Sequence, residues 1–326
     1  MTIKMVFEPN KEICWDKPVR SGDETLPPLI EYPRFSIAID GYCKGSPRFD
    51  QERTILNINH HEEVDRIATR SSCLQAMLLV KLGLYDGFRD EAGQPTATLY
   101  CNDCDQDVAL ATYILIHPED VNRPKLRELV RVEDLMDMSG GLYPTRKRLQ
   151  LMKQLNWIMQ PYTKARTSGA LQQLDAKGME RLVREMHKRI RLTLFNGPRE
   201  VEVDTSFEVL ADHGSWQLVR EIGEAARVGM AERQIKAFVS LISESEGRYR
   251  YAIGRLSPFI PFPLPGLYAA LNKAEGLGAD AEHRWGGSGI NGGSPRGIGS
   301  GLSPERLAEV INACLARLRK SRATAA

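Results

Sequence analysis

Two adjacent histidines, His60 and His61, are the residues of this chain best suited to chemistry. They follow a short run of alternating apolar residues and precede three acidic residues, Glu62, Glu63 and Asp65. Imidazole and carboxylate groups crowded at the end of a strand suit a divalent metal such as Mn, Fe or Zn. A histidine pair in a loop is also compatible with simple hydration, so the interpretation depends on which other residues reach the same place.

Further acidic residues stand where other strands are expected to end. They are Asp40, Asp103, Asp105 and Asp107, and a further segment carries Asp134 and Asp137 ahead of a glycine turn. Taken singly, each of these acids also suits a helix N-cap or a surface charge. Ligands of open α/β sheets bind beyond the carboxyl ends of the strands, so the acids and histidines together predict a metal site at that edge.

The apolar pattern predicts the framework that would position these side chains. Strands are predicted at 34–40, 55–58 and 97–100, and helices at 64–84, directly after Asp107 and across 145–194. Strands that alternate with helices form a mainly parallel sheet flanked by helices, which is an α/β fold. The Lys and Arg residues of 145–194 form either a solvated face or contacts for an anionic ligand.

A second, smaller α/β or α+β domain is predicted after the break at Asn196-Gly-Pro198. Its predicted elements are a strand at 200–211, a helix at 216–228, paired strands at 238–242 and 249–253, and a closing helix from Leu302. Pro304 directly after Ser303 is typical of a helix start.

A glycine-rich segment, residues 283–301, precedes the closing helix. Its candidate substrate-binding residues are His283, Arg284, Gly292, Gly293, Ser294 and Arg296. Glycine lets backbone N–H groups converge on an anion, and arginine adds charge with bidentate geometry, so the segment suits a phosphate or carboxylate. The alternative is a flexible Gly/Ser linker. The segment has neither a Walker A sequence nor a dinucleotide fingerprint.

Composition narrows the class of protein. The 326 residues are 42% hydrophobic and 26% charged, with a net charge of +2, which is typical of a globular protein without a global basic field. Long nucleic acid is therefore disfavoured as a partner, and a small phosphorylated molecule or short oligonucleotide is favoured. No apolar run reaches the roughly 18 residues of a membrane span, and the first residues lack the apolar core of a signal peptide.

The six cysteines are scattered, which suits a reducing cytoplasm better than a disulfide scaffold. Cytoplasmic localisation is the resulting expectation. Cys101-x-x-Cys104 alternatively suggests a redox pair or half of a zinc site, although the chain has no second such pair to complete one. Oligomeric state is not readable from the sequence, and a homodimer stays open.

Together these motifs resemble the DHH phosphoesterase superfamily, named after its Asp-His-His motif. Asn59-His60-His61 resembles that motif, and Asp103-Cys-Asp105-Gln-Asp107 ahead of an apolar helix resembles its Asp-x-Asp motif. Asp40 and Asp137 would fill two further aspartate positions. The glycine-rich segment is similar to the Gly-Gly-His region with which family members hold the substrate.

The resemblance implies an organisation and an activity. Residues 1–33, which are rich in proline and charge, are predicted to be an irregular leader. After it, the resemblance implies a metal-binding domain (34–165), a helical connector (166–195) and a substrate domain (196–326). It implies two divalent ions, in the first place Mn, that hydrolyse phosphoester or phosphoanhydride bonds. The implied metal ligands are Asp40, His60, His61, Asp103, Asp105, Asp107 and Asp137, and His60, His61 and Asp105 are the implied catalytic residues.

Two features depart from the family pattern. The histidines precede the Asp-x-Asp cluster here, whereas usual members have the reverse order. Asn59 replaces an aspartate and brings no charge, which indicates either an altered metal preference or lost catalysis. The alternative to a metal-dependent phosphohydrolase is therefore a catalytically lapsed module that binds a phosphorylated ligand or partner in a regulatory role.

Overall fold

The computed structural model describes residues 1–13, 32–61, 63–144, 149–278, 281, 283–295 and 297–325. The chain divides into two compact units. The N-terminal unit comprises Met1–Met138 and Arg148–Glu202, and the C-terminal unit comprises Ser139–Lys147 and Val203–Ala326. Each unit contains one β-sheet with associated helices, so the protein is of the mixed α/β class.

The sheet of the N-terminal unit is mostly parallel, as the sequence predicts. Its strands are β1 (Thr2–Phe7), β2 (Ser36–Ile39), β3 (Arg48–Asp50), β4 (Ile55–Ile58) and β5 (Thr96–Cys101). They lie in the order β1-β5-β2-β4-β3, and β3 alone of these strands is antiparallel to its neighbour. Every residue of β2 is buried, which is typical of a parallel strand covered on both faces.

Strand β1 lies within the segment expected to be an irregular leader (1–33), so that expectation is wrong for residues 2–7. Thr2 pairs with Thr96 and Phe7 with Cys101, which makes β1 an edge strand parallel to β5. The prolines that suggested irregular structure begin only at Pro9, after the strand has ended.

Six α-helices are described in the N-terminal unit. They are α1 (Ser72–Lys81), α2 (Leu84–Gly87), α3 (Gln106–Ile116), α4 (Pro124–Met138), α5 (Leu149–Thr167) and α6 (Ala176–Phe195). Helix α1 begins at Ser72 rather than at Val64, because the Asp107 carboxylate accepts hydrogen bonds from the backbone N–H groups of Ser72 and Cys73. Residues 64–71 are therefore free to form a loop beside the ends of the strands.

Helix α6 belongs to the N-terminal unit, although residues 166–195 were expected to form a connector between domains. The imidazole of His187 lies 3.0 Å from the carbonyl oxygen of Ala109 and 3.0 Å from the hydroxyl of Thr112, both on α3. This buried contact and a strongly amphipathic sequence attach α6 to the layer of helices.

The C-terminal unit contains a mixed sheet. Its elements are β6 (Phe207–Asp212), β7 (Gln217–Glu221), α7 (Ala226–Glu232), β8 (Ala237–Ser245), β9 (Arg248–Arg255), α8 (Leu264–Ala274), β10 (Gly286–Gly287), β11 (Asn291–Gly293) and α9 (Pro304–Ala325). The strand order is β10-β11-β9-β8-β7-β6, with β7 and β8 parallel and the other neighbours antiparallel. The predicted pairing of 238–242 with 249–253 is confirmed as β8 and β9.

The helix predicted at 216–228 is wrong for Gln217–Glu221, which form strand β7, and a helix begins only at Ala226. Leu218 packs into a core with Leu267 of α8 and Ile311 of α9. Its neighbour Val219 packs into a second core with Met230 of α7. Successive residues thus contribute to opposite faces of the sheet, as in a strand buried on both sides.

Candidate functional site

The carboxyl ends of β2 and β4 bring one aspartate and two histidines together. Asp40 follows β2 with a left-handed backbone (φ 49°), and Gly41 continues the reversal with φ 82°. A side chain at Gly41 would meet the ring of His61, and its positive φ favours glycine. This tight turn holds the Asp40 carboxylate, which is only 7% exposed, beside the histidines that follow β4.

His60 lies at the meeting point of three carboxylates. Its Nε2 is 2.9 Å from Asp137 Oδ2, 3.1 Å from Asp40 Oδ1 and 3.6 Å from Asp107 Oδ2, and its side chain is 1% exposed. A single ring nitrogen can donate one hydrogen, so it satisfies one of these three oxygens at a time. We refer to Asp40, His60, His61, Asp107 and Asp137 as the histidine–aspartate cluster.

His61 is the accessible member of the histidine pair. Its Nε2 is 2.6 Å from Asp40 Oδ1, and its side chain is 37% exposed. On the other side of the ring, Nδ1 lies 3.4 Å from Nη1 of Arg66. His61 can therefore contact a bound molecule, whereas His60 is closed off from solvent.

The pKa shifts of the cluster follow from burial and mutual charge. Burial alone would lower the pKa of His60, but hydrogen bonds and charge from Asp137 and Asp40 raise it to about 11. Burial alone would raise the pKa of Asp40, but the charge of His61 and hydrogen bonds with both histidines hold it below its ordinary range. Burial and the charges of Asp40 and Asp137 raise the pKa of Asp107 to about 6. The carboxylates thus favour a positive charge at the position of His60.

These residues fit a divalent cation. Two sets of three ligand atoms lie within 4.8 Å of one another, Asp40–His60–His61 and His60–Asp107–Asp137. Asp137 Oδ2 and His60 Nδ1 are buried and make no well-aligned hydrogen bond. Buried polar atoms are normally satisfied, and a mixed imidazole and carboxylate set suits a transition-metal ion.

Two other predicted ligands, Asp103 and Asp105, do not join either set. Asp105 is the N-cap of α3, where its Oδ1 accepts a hydrogen bond from the Val108 N–H at 3.0 Å. Burial and the nearby charge of Asp40 raise the pKa of Asp105. Asp103 accepts a hydrogen bond from the N–H of Cys104. Asp105 thus begins a helix close to the cluster, and its predicted catalytic role stays a prediction.

Two residues beside the cluster were not predicted from the sequence. Arg66 is 9% exposed, and its Nη2 donates to the carbonyl oxygen of Asp137 at 3.2 Å. Glu133 precedes Asp137 by one turn of α4 and is 5% exposed, with Oε2 buried and without a hydrogen-bond partner. Burial and the charge of Asp137 raise the pKa of Glu133. Its spacing of four residues from Asp137 was the signal that could have identified it.

Asp134, which the sequence grouped with Asp137, has a structural role. Its carboxylate accepts a hydrogen bond from the Ser71 N–H at 2.9 Å and lies 3.4 Å from the Arg70 guanidinium. It anchors the loop ahead of α1 at Ser71, next to the Ser72 and Cys73 N–H groups that donate to Asp107. The helical turn that delivers Asp137 to His60 places Asp134 on a neighbouring face.

Asn59 is fully buried and its amide supports the histidine loop. Its Nδ2 donates to the Gly45 carbonyl at 2.9 Å, and its Oδ1 accepts from the His61 N–H at 3.0 Å. Aspartate has no hydrogen to donate to Gly45, so the two bonds together require the amide. Asn59 therefore fixes the backbone that presents His61.

In the C-terminal unit, glycines of the glycine-rich segment permit close packing. An added Cβ at Gly292 would lie 2.2 Å from the Tyr268 hydroxyl and 2.3 Å from the Gly286 carbonyl oxygen. Strand β11 is flanked by β10 on one side and β9 on the other. Gly293 would place a Cβ 2.7 Å from the carbonyl oxygen of Tyr251. Sheet packing thus explains glycine at these positions without a bound anion.

The other predicted substrate-binding residues have varied surroundings. Ser294 continues the strand, since its N–H donates to Tyr251 and its Oγ accepts from the Tyr251 N–H. His283 and Arg284 are exposed. Arg296 lies outside the described residues. Substrate binding by the segment stays a prediction.

The Cys101-x-x-Cys104 pair consists of two buried free thiols. Burial and the neighbouring acids raise the pKa of both thiols above the ordinary value. Because the thiolate is the reactive and metal-binding form, these surroundings disfavour redox or zinc chemistry. Within the described parts of the chain, the cysteines form no disulfide.

A third group of possible ligands, His117, Glu119 and Asp120, follows α3. Asp120 is already engaged, because it accepts from the Tyr113 hydroxyl at 2.8 Å and from Arg123 Nε at 2.6 Å. This arrangement closes a short 3₁₀ turn and needs no ion.

Comparisons with protein families, with characterised proteins and with solved structures give no match. The resemblance to the DHH superfamily therefore rests on the sequence motifs. No helix in the described ranges combines the length and apolar character that a membrane span requires.

Proposed function

We propose that the protein is a metal-dependent phosphohydrolase that cleaves phosphoester or phosphoanhydride bonds in a small phosphorylated substrate, a nucleotide or a short oligonucleotide. The observation that supports it best is the convergence of Asp40, His60, His61 and Asp137 at the carboxyl edge of a mostly parallel sheet. Ligands of such sheets bind at this edge.

Asp40, His60 and Asp137 are the proposed ligands, and His61 and Asp107 complete the two sets. A divalent cation bound there, in the first place Mn, would polarise a phosphoryl oxygen and lower the pKa of a water molecule. Asp107 has a second role, because its oxygens accept the first N–H groups of α1 and so hold that helix against the site. His61 is accessible enough to exchange a proton with the substrate.

The regulatory alternative was suggested by Asn59, which has no charge with which to bind a metal. The Asn59 side chain is bonded to Gly45 and His61 and is not needed as a ligand. Its amide therefore gives no reason to expect lost catalysis. We retain the hydrolase as the proposed function and make the alternative an outcome of the test.

The test is release of phosphate or nucleotide from dinucleotides, cyclic dinucleotides, short RNA and simple phosphate esters in the presence of Mn. We expect turnover by the wild type and a loss of about 100-fold or more in Asp137→Asn. Asp86→Asn changes an exposed acid of the same unit and should retain full activity. Absence of turnover with Mn, Mg, Fe and Zn would refute the proposal. Saturable ligand binding without turnover would support the regulatory alternative.

A further inference from the structure

The Arg66 guanidinium contacts both halves of the histidine–aspartate cluster. Its Nη1 lies 3.4 Å from His61 Nδ1, and its Nη2 lies 3.7 Å from Asp137 Oδ2. The same Nη2 donates to the Asp137 backbone carbonyl at 3.2 Å. Arg66 is therefore fixed by the backbone of α4 while its charge faces one residue from each ligand set.

The two ligand sets share His60 Nε2. A neutral imidazole nitrogen has one lone pair and can coordinate one ion. One ion at this nitrogen leaves the other set with only two of its three ligands, Asp40 and His61 or Asp107 and Asp137. The carboxylate of Asp107 is also occupied by the N–H groups of Ser72 and Cys73. The geometry thus provides one complete coordination position.

The charge balance of the cluster also favours a single ion. The cluster contains three carboxylates, Asp40, Asp107 and Asp137. A single divalent cation together with the Arg66 guanidinium balances their negative charge. Arginine carries its charge in proteins, and Arg66 is buried, so its guanidinium brings a positive charge to the site.

We infer that the site binds one divalent cation, and that Arg66 supplies the second positive charge that a two-ion site would obtain from a second metal. This inference rests on the proposed metal-dependent function. It departs from the two Mn ions that the family resemblance implies. Arg66 is a positioning residue in this scheme, since it holds His61 and Asp137 around the ion.

The remaining acids nearby do not complete a second position. Asp105 and Glu133 affect the cluster through charge, but neither belongs to a set of ligand atoms within 4.8 Å in the described chain. Asp105 is committed to the start of α3. A second ion would require one of these side chains to turn toward the cluster, and stoichiometry would reveal it.

The experiment is a titration of the full, EDTA-treated chain with MnCl₂ by calorimetry, with elemental analysis after gel filtration. We expect one ion per wild-type chain. Arg66→Gln keeps hydrogen-bond donors but removes the charge that opposes a second cation. Asp105 or Glu133 can then turn toward the cluster as a ligand, and the stoichiometry should rise toward two. Arg66→Lys keeps the charge and should bind one ion. Arg70→Gln is the matched control, because Arg70 faces Asp134 outside the cluster and is 45% exposed.

The outcomes separate this inference from the proposed function. Two tightly held ions in the wild type would overturn the inference and leave the hydrolase proposal standing. Zero ions would overturn both. A stoichiometry of one in Arg66→Gln, with circular dichroism and thermal unfolding like those of the wild type, would also overturn the role of Arg66.

Discussion

The histidine–aspartate cluster and the glycine-rich segment both have unusual composition, but their structures differ in one respect. In the cluster, one ring nitrogen faces three carboxylates, and buried atoms of His60 and Asp137 lack well-aligned partners. In the glycine-rich segment, Gly292 and Gly293 fit against Tyr268, Gly286 and Tyr251 with no space for a side chain.

This difference separates a candidate binding site from a packing arrangement. Burial of polar groups without partners costs free energy, so a protein that keeps such groups together gains from something they bind. Glycine at a close approach between strands removes a steric cost and requires no ligand. The unusual residues of the N-terminal unit thus form a candidate binding site, and those at β11 fit the packing of the sheet.

The largest expected effect is loss of the metal on changing Asp40. Asp40→Asn keeps the size of the side chain but removes the charge that faces both histidines. We expect Mn affinity to fall by about 100-fold or more, since even residues that only orient metal ligands contribute about 10- to 100-fold. Calorimetry on the metal-free protein measures it. Asp90→Asn, an exposed acid in the loop before β5, is the control. Unchanged affinity in Asp40→Asn would remove the main distinction between the two regions.

Gly292→Ala, in contrast to Asp40→Asn, should lower the free energy of unfolding and leave the Mn affinity unchanged. The new Cβ would collide with the backbone of Gly286 and the hydroxyl of Tyr268. Overpacking of this kind costs about 1–3 kcal/mol in the free energy of unfolding. Gly266→Ala on α8 is the matched control, because its added Cβ meets no atom within 4 Å. Denaturant unfolding distinguishes the two variants. If Gly292→Ala were stable but lost phosphate binding, the anion-binding interpretation of the segment would regain support.

The elements predicted correctly from the sequence are those whose pattern of apolar residues matches the burial of the same residues in the fold. The strands at 55–58 and 97–100 and the buried helix after Asp107 are confirmed, because buried residues fill β4, predominate in α3 and alternate along β5. The helix predicted at 216–228 was wrong because β7 is buried on both faces. Because Leu218 and Val219 are adjacent and both buried, this strand does not show the alternation that distinguishes strand from helix.

The candidate site was predictable in part for a related reason. Asp40 and the histidines follow strands directly, so the topology of the sheet brings them together. Asp105 and Asp107 also follow a strand, but their carboxylates bond to helix N-termini, and spacing cannot distinguish a cap from a ligand. Arg66 was missed because its loop position depends on where α1 begins. Asp107, which is distant in sequence, fixes the start of α1 by accepting hydrogen bonds from the N–H groups of Ser72 and Cys73.

Asn59→Asp restores the family's Asp-His-His motif and tests which role this position has. The carboxylate would lose the hydrogen bond to Gly45 and face that carbonyl oxygen in a buried site. We expect a loss of about 1–2 kcal/mol in the free energy of unfolding and no gain in Mn affinity. Asn122→Asp, at an exposed position, should change neither quantity. A gain in Mn affinity of about tenfold or more would show that position 59 is a ligand position after all.

An effect confined to acidic pH concerns a second buried histidine, His187, which has no carboxylate against it among the described residues. Burial lowers its pKa to about 3, the reverse of the shift at His60. Between the ordinary value of 6.5 and pH 3 the unfolded chain binds a proton that the folded chain refuses, so folding stability falls as the pH falls. One such proton contributes a slope of at most about 1.4 kcal/mol per pH unit.

His187→Gln keeps a donor for Ala109 and should make the free energy of unfolding less dependent on pH over this range. Denaturant unfolding in EDTA at several pH values, compared with His117→Gln on the partly exposed turn after α3, measures the difference. Equal slopes for His187→Gln and the wild type would mean that His187 is protonated in the fold, and that its environment is closer to that of His60 than the contacts with α3 imply.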